Sequence, residues 1–150
     1  MNFIIKPTPE AINEFCKNSM SDFLGIEFTE TGDNYLVARM PVNERTHQSL
    51  GMLHGGASCV LAEQVGSVAA NLYLDREKYV AIGLDINANH LKPVRDGFVY
   101  AKATPTHIGG RTQVWEIKIT NEAQELLCIS RLTMVIIPVT NDTRRKQDLK

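Results

Sequence analysis

Hydrophobic and polar positions change their pattern three times along the chain. Ile12, Phe15, Cys16 and Met20 fall at helical spacing behind Thr8-Pro9-Glu10, which supplies an N-cap, a proline suited to the first helical position and an acid for the first turn. This predicts a short amphipathic helix reaching about Ser19. Two strand-like runs follow at 26–31 and 35–41, joined by the hairpin signal Gly32-Asp33-Asn34. A polar loop over 41–53 then delivers the chain to 54–74, a helical stretch apolar on every side. Beyond 75–78 the period becomes two. Strands are predicted near 79–91, 98–107, 113–120 and 126–138, with Val114, Glu116, Lys118 and Thr120 alternating against Trp115, Ile117 and Ile119.

The order is helix, two strands, one long helix, four strands. Short connections between successive strands imply an antiparallel sheet, hence an α+β domain of two layers. Residues 1–139 are expected to form one domain, and the polar tail 140–150 to fray. The long helix has more apolar surface than one sheet face covers, so a second copy of the chain is expected to help bury it.

Composition narrows the partners. With 22% charged residues and a net charge of -1, nothing draws the chain to nucleic acid or an anionic membrane. Cys16, Cys59 and Cys128 lie far apart without C-x-x-C spacing; they read as structural thiols of a reducing cytoplasm. The N-terminus lacks the apolar run of a signal peptide. The 54–74 stretch is long enough to span a bilayer, but its small residues and Glu63, Gln64 and Asn71 argue for a soluble protein.

Glu63 is the only formally charged residue of 54–74, where average density would give about five. A carboxylate buried in such a helix is costly unless hydrogen-bonded or neutralised, which makes it the first functional candidate. His54-Gly55-Gly56 opens the helix. Its first N–H groups lack internal partners and carry partial positive charge, so the turn suits an oxyanion hole; equally, two glycines permit tight packing where loop becomes helix. Ser67 stands one turn from Glu63 and Asn71 one turn further, a stripe that also fits a polar seam between helices of a dimer. Gly55 and Glu63 are roughly 12 Å apart along one axis, too far to act on one carbonyl. If both take part, they come from two subunits.

Gln48, in the preceding loop, has an amide able to orient water or a carboxylate. His90 and His107 end strand segments without further ligands at metal spacing, so no metal site is expected. G-x-S-x-G and the glycine-rich nucleotide motifs are absent. Ile108-Gly109-Gly110-Arg111 reads first as a hairpin turn; exposed amides beside an arginine also suit phosphate, with Lys92 and Arg95 adding positive charge.

The runs HQSLGMLHGGASCVLAEQVGSVA, AIGLDINANHLKP and HIGGRTQVW together resemble the hotdog-fold acyl-CoA thioesterases over about residues 20–138. The similarity is greatest to the aryl-CoA, PaaI-like branch that includes 1,4-dihydroxy-2-naphthoyl-CoA and Arthrobacter-type 4-hydroxybenzoyl-CoA thioesterases. The resemblance implies a sheet wrapped around the long helix, dimers with a continuous sheet and tetramers of two dimers. It implies Glu63 as nucleophile or general base, Gly55 N–H as oxyanion donor, His54 and Gln48 as positioning groups and Ser67 as a holder of water. Coenzyme A contacts carry over to Gly83, to His90, Leu91, Lys92 and Pro93, and to His107, Ile108, Gly109, Gly110, Arg111 and Thr112. No cofactor is implied, coenzyme A being part of the substrate. Two departures fall at the coenzyme A end: Gly109-Gly110-Arg111-Thr112, where relatives often have Gly-Ser-Arg-His, and Pro93 in place of a small polar residue. Met52, Leu53, Val60, Val68 and Leu72 are candidates for the acyl side. A non-catalytic acyl-CoA binder and a hotdog dehydratase or hydratase are the rival functions, and acyl-carrier-protein thioesters are an alternative substrate.

Overall fold

The computed structural model describes residues 2–140. Helix α1, Pro9–Phe15, starts as its sequence predicts: Thr8 caps it by accepting from the Ala11 N–H, with Pro9 in the first turn. It stops earlier than the apolar spacing suggested. Asn18 takes a left-handed φ of 59° and donates its N–H to Asp22, so Met20 begins a separate turn, α2, Met20–Phe23. The break comes from a side chain capturing the backbone, which spacing alone does not reveal.

Strands β1, Glu27–Thr31, and β2, Leu36–Pro41, form the expected hairpin. Helix α3, Gly55–Asn71, crosses next. Then come β3, Tyr79–His90; β4, Phe98–Ile108; β5, Thr112–Asn121; and β6, Leu126–Pro138. The six strands make one sheet in the order β1-β2-β4-β5-β6-β3, with every neighbouring pair antiparallel. The sheet wraps one face of α3, which is the two-layer hotdog architecture.

Small residues make the wrap possible. Ala38, Ala101 and Ala103 line the sheet, and Ala62, Gly66, Ala69 and Ala70 line the helix side, all buried. A Cβ at Gly66 would stand 2.6 Å from Leu132 Cδ2, so helix and sheet meet more closely than larger side chains permit. Beneath the helix lies Trp115, the chain's single tryptophan, fully buried. Its indole N–H donates to Gln113 Oε1 at 3.0 Å, and Gln113 Nε2 donates to the Ala70 carbonyl at 3.3 Å. This buried amide therefore satisfies one helix carbonyl and one indole.

The N-terminal segment is pinned. Phe3 N–H donates to the Asp33 carbonyl, the Ile4 and Ile5 N–H groups reach the Leu72 carbonyl, and the Phe3 ring packs edge-on against Tyr73 at 4.9 Å. Among the described residues no helix is long and apolar enough to cross a membrane. Apart from Thr140, the polar tail lies outside the described residues.

Candidate active site

Loop and helix meet at His54, the N-cap of α3. Its Nδ1 accepts the Gly56 N–H at 2.8 Å, while its carbonyl accepts from Ala57 at 2.9 Å and Ser58 at 3.2 Å. A neutral His54 accepting at Nδ1 carries its proton on Nε2, so a donor faces outward. Three of the first four helix amides thereby have acceptors. The Gly55 N–H has none among the described residues, and it sits where the helix dipole is most positive.

That amide opens into a cleft of about 330 Å³ whose wall includes Gln48, Gly55 and His90 to Pro93. Gln48 accepts the Leu50 N–H through Oε1, which leaves its NH₂ to donate. The His90 ring packs on Gly55 so closely that a Cβ there would lie 2.8 Å from His90 Nε2. Glycine at 55 is thus a steric requirement as well as a donor position. Met52 and Leu53 line the cleft as expected for the acyl side; Val60, Val68 and Leu72 do not. Leu72 is buried under the N-terminal segment instead.

Sequence reasoning missed Ser58 and Cys128 in the same wall. Burial pushes the Cys128 thiol up, with the Ser130 hydroxyl partly offsetting it, so this sulfur is a neutral wall atom rather than a nucleophile. Among the described residues no cluster of three His, Cys, Asp or Glu side chains suits a metal ion.

Glu63 corrects an expectation. In the single chain it is exposed, not buried, because the sheet covers only the Leu61, Ala62, Val65 and Gly66 side of α3. Its carboxylate rests against β3, with Oε1 2.5 Å from where a Cβ of Gly83 would be. Ser67, half-buried, turns its hydroxyl toward Met134 Sδ at 3.8 Å. Asn71 continues the stripe and grips β3: its amide donates to the Ala81 carbonyl and accepts the Ala81 N–H, both at 3.0 Å. This clamp was not foreseen, although the spacing of Glu63, Ser67 and Asn71 was its signal.

The remaining candidates lie elsewhere. His107 to Thr112 form the β4–β5 turn, closed by Gly109 N–H to the Thr112 carbonyl at 2.9 Å, with the His107 ring folded onto Gly109. On β6, His90 pairs with Cys128 and Thr112 with Val135, seven residues and roughly 23 Å apart along the strand. Of the three predicted coenzyme A segments, His90 to Pro93 therefore sits at one end of the chain's sheet, while Gly83, paired with Met134, lies at the other with the His107 to Thr112 turn. Two of the three candidate cations are also engaged. Lys92 pairs with Glu125 at 3.1 Å, and Arg95 donates to the Leu50 and Gly51 carbonyls at 3.0 and 3.2 Å, stapling the loop that carries Gln48.

Comparison with known proteins gives this arrangement a family. A family model described as the thioesterase superfamily matches residues 50–128. The 1,4-dihydroxy-2-naphthoyl-CoA hydrolase of Escherichia coli (strain K12) is 49% identical over 132 residues, 88% of this chain and 96% of its own. The proofreading thioesterase EntH of Cronobacter turicensis is 42% identical over 130 residues, 87% of this chain and 94% of its own. A crystal structure of a thioesterase from Haemophilus influenzae matches at a TM-score of 0.91 and 45% identity, covering 96% of this chain and all of that one. The matched family model, the identity to these relatives and the close fit of the fold lead to one conclusion: the chain belongs to the thioesterase superfamily and is a thioester hydrolase.

Proposed function

We propose that the chain hydrolyses acyl-CoA thioesters, aromatic acyl groups among them, to the free acid and coenzyme A. The observation that carries this reading is the Gly55 amide, an N–H without an acceptor among the described residues at the positive end of α3. A thioester carbonyl accepting from it gains a donor aimed at the oxygen where charge develops; one such donor contributes about 10²–10³ in rate. The Gln48 NH₂, in the same cleft wall, and the His54 Nε2–H supply further donors.

Glu63 stands eight residues along the helix, roughly 12 Å away, and acts on a thioester held by a second copy. Supporting this, β3 is an edge of the sheet with Ile82 and Leu84 44% and 64% exposed, an edge that favours pairing. Antiparallel pairing of β3 with its copy sets the His107 to Thr112 turn of one chain at the end of the sheet that holds the other's Gly55 and His90. It also covers Glu63. Two such dimers make the tetramer that the family resemblance implies, in a cytoplasmic setting.

Glu63 then takes a proton from water, whose oxygen attacks the carbonyl carbon, or itself attacks to form a mixed anhydride that water cleaves. In both routes the C–S bond breaks and the sulfur leaves as the coenzyme A thiol once protonated. These steps draw on protein groups and water, with no added cofactor. The name of the Escherichia coli relative makes hydroxynaphthoyl-CoA and benzoyl-type esters the first substrates to compare with short and medium acyl chains, and with acyl-carrier-protein thioesters.

Thiol release over that panel is the test. Glu63→Ala is expected to lower kcat by at least ~10²-fold, the scale of a lost general base, while the assembly persists; unchanged turnover removes Glu63 from the chemistry. Hydration of an enoyl thioester without thiol release indicates a dehydratase instead, and binding without turnover a sensor. Labelled oxygen entering Glu63 in a single turnover selects the anhydride route.

A further inference from the structure

We propose that Gly83 is a positioning residue for the Glu63 carboxylate, its missing side chain forming the seat in which Oε1 rests. This inference depends on Glu63 being the reacting acid. A Cβ at Gly83 would lie 2.5 Å from Glu63 Oε1 and 3.6 Å from Cδ. Only the carboxylate's end would be displaced, by somewhat under an ångström. The backbone does not need glycine here: the chain's left-handed glycines are Gly25, Gly51 and Gly97. Space, not conformation, is what the absent side chain provides.

Two further features fix the seat. The β3–β6 register slips between Gly83 and Asp85, a bulge at Leu84 of the kind that re-aims a strand beside an active site. Two residues before the seat, Asn71 holds both backbone groups of Ala81, tying β3 to the helix that carries Glu63. The acid and its seat are therefore held in one register. A terminal carboxylate shifted by about an ångström costs up to ~10² in rate, although the fold barely notices an added methyl.

Gly83→Ala in the intact protein tests this, read by steady-state kinetics, sedimentation and thermal unfolding. Expected are a kcat lowered roughly 10- to 10²-fold, a KM for the acyl-CoA within about twofold, and unchanged assembly and melting temperature. In the Glu63→Ala background, with no carboxylate left to displace, the same substitution should cost nothing further. An unaltered kcat, a rise confined to KM as for a lost coenzyme A contact, an equal loss in both backgrounds, or a loss that follows unfolding or dissociation would each overturn the proposal. Full activity of Glu63→Ala alone would instead remove the reading beneath it. Gly83→Ser keeps a small residue with the same Cβ and should repeat the kcat loss.

Discussion

At the scale of single residues, the proposed mechanism gives His54 two separable tasks. It caps α3 through Nδ1 and, on that reading, donates from Nε2–H to the thioester. Asparagine is a strong N-cap whose side-chain oxygen accepts the same kind of bond, but it is shorter and has no donor at that reach. His54→Asn should therefore leave the melting temperature nearly unchanged and lower kcat/KM by about 10²-fold, the lower range for one lost donor to the developing oxyanion. His54→Ala should lose both, with about 1 kcal/mol of stability gone with the cap. A parallel fall of stability and turnover in His54→Asn would tie the residue to folding alone. Gln48 and Arg95 show why a residue's surroundings matter as much as its type. Arg95, a candidate for phosphate, is spent on the Leu50 and Gly51 carbonyls, which shapes the loop from which Gln48 points.

At the scale of elements, α3 and β3 are joined by a polar stripe across an otherwise apolar contact. Asn71 makes three bonds there, to Ser67, to the Ala81 carbonyl and from the Ala81 N–H. Asn71→Ala leaves the partly buried Ala81 groups without partners, at about 1–3 kcal/mol. Urea unfolding should shift by that amount, and exchange of the Ala81 amide should accelerate well beyond that of β5. Much of this architecture was legible beforehand. Strand β6 has the bounds expected of it, 126–138, and α3 starts at the His-Gly-Gly turn where the apolar helical stretch begins. Two things were hidden for one reason: contacts distant in sequence leave no periodic trace. These are the engagement of Lys92 by Glu125 and the clamp of Asn71 on β3. That one sheet face leaves part of α3 open was expected from its apolar surface; that the open side exposes Glu63 in a single chain was not, because an apolar helix reports that it is covered, not by what.

At the scale of the whole molecule, the proposed joint action of Gly55 and Glu63 on one thioester implies that activity is a property of pairs, because the two stand roughly 12 Å apart on one helix. Chains carrying Glu63→Ala and chains carrying His54→Ala are each expected to be weakly active. Mixed and allowed to exchange subunits, they form hybrid dimers in which one site has both groups intact, so thiol release should rise well above either parent. No recovery in verified hybrids would mean that each chain completes its own site. The lone indole at residue 115 has a use in such work. Sealed beneath the helix and 5.8 Å from the Tyr73 ring, it is a built-in fluorophore whose emission should redden when the hydrophobic interior opens to water. A thioester docking in the cleft, whose lining does not include Trp115, should leave its spectrum largely unmoved, so one optical signal can follow unfolding in every variant while substrate is present.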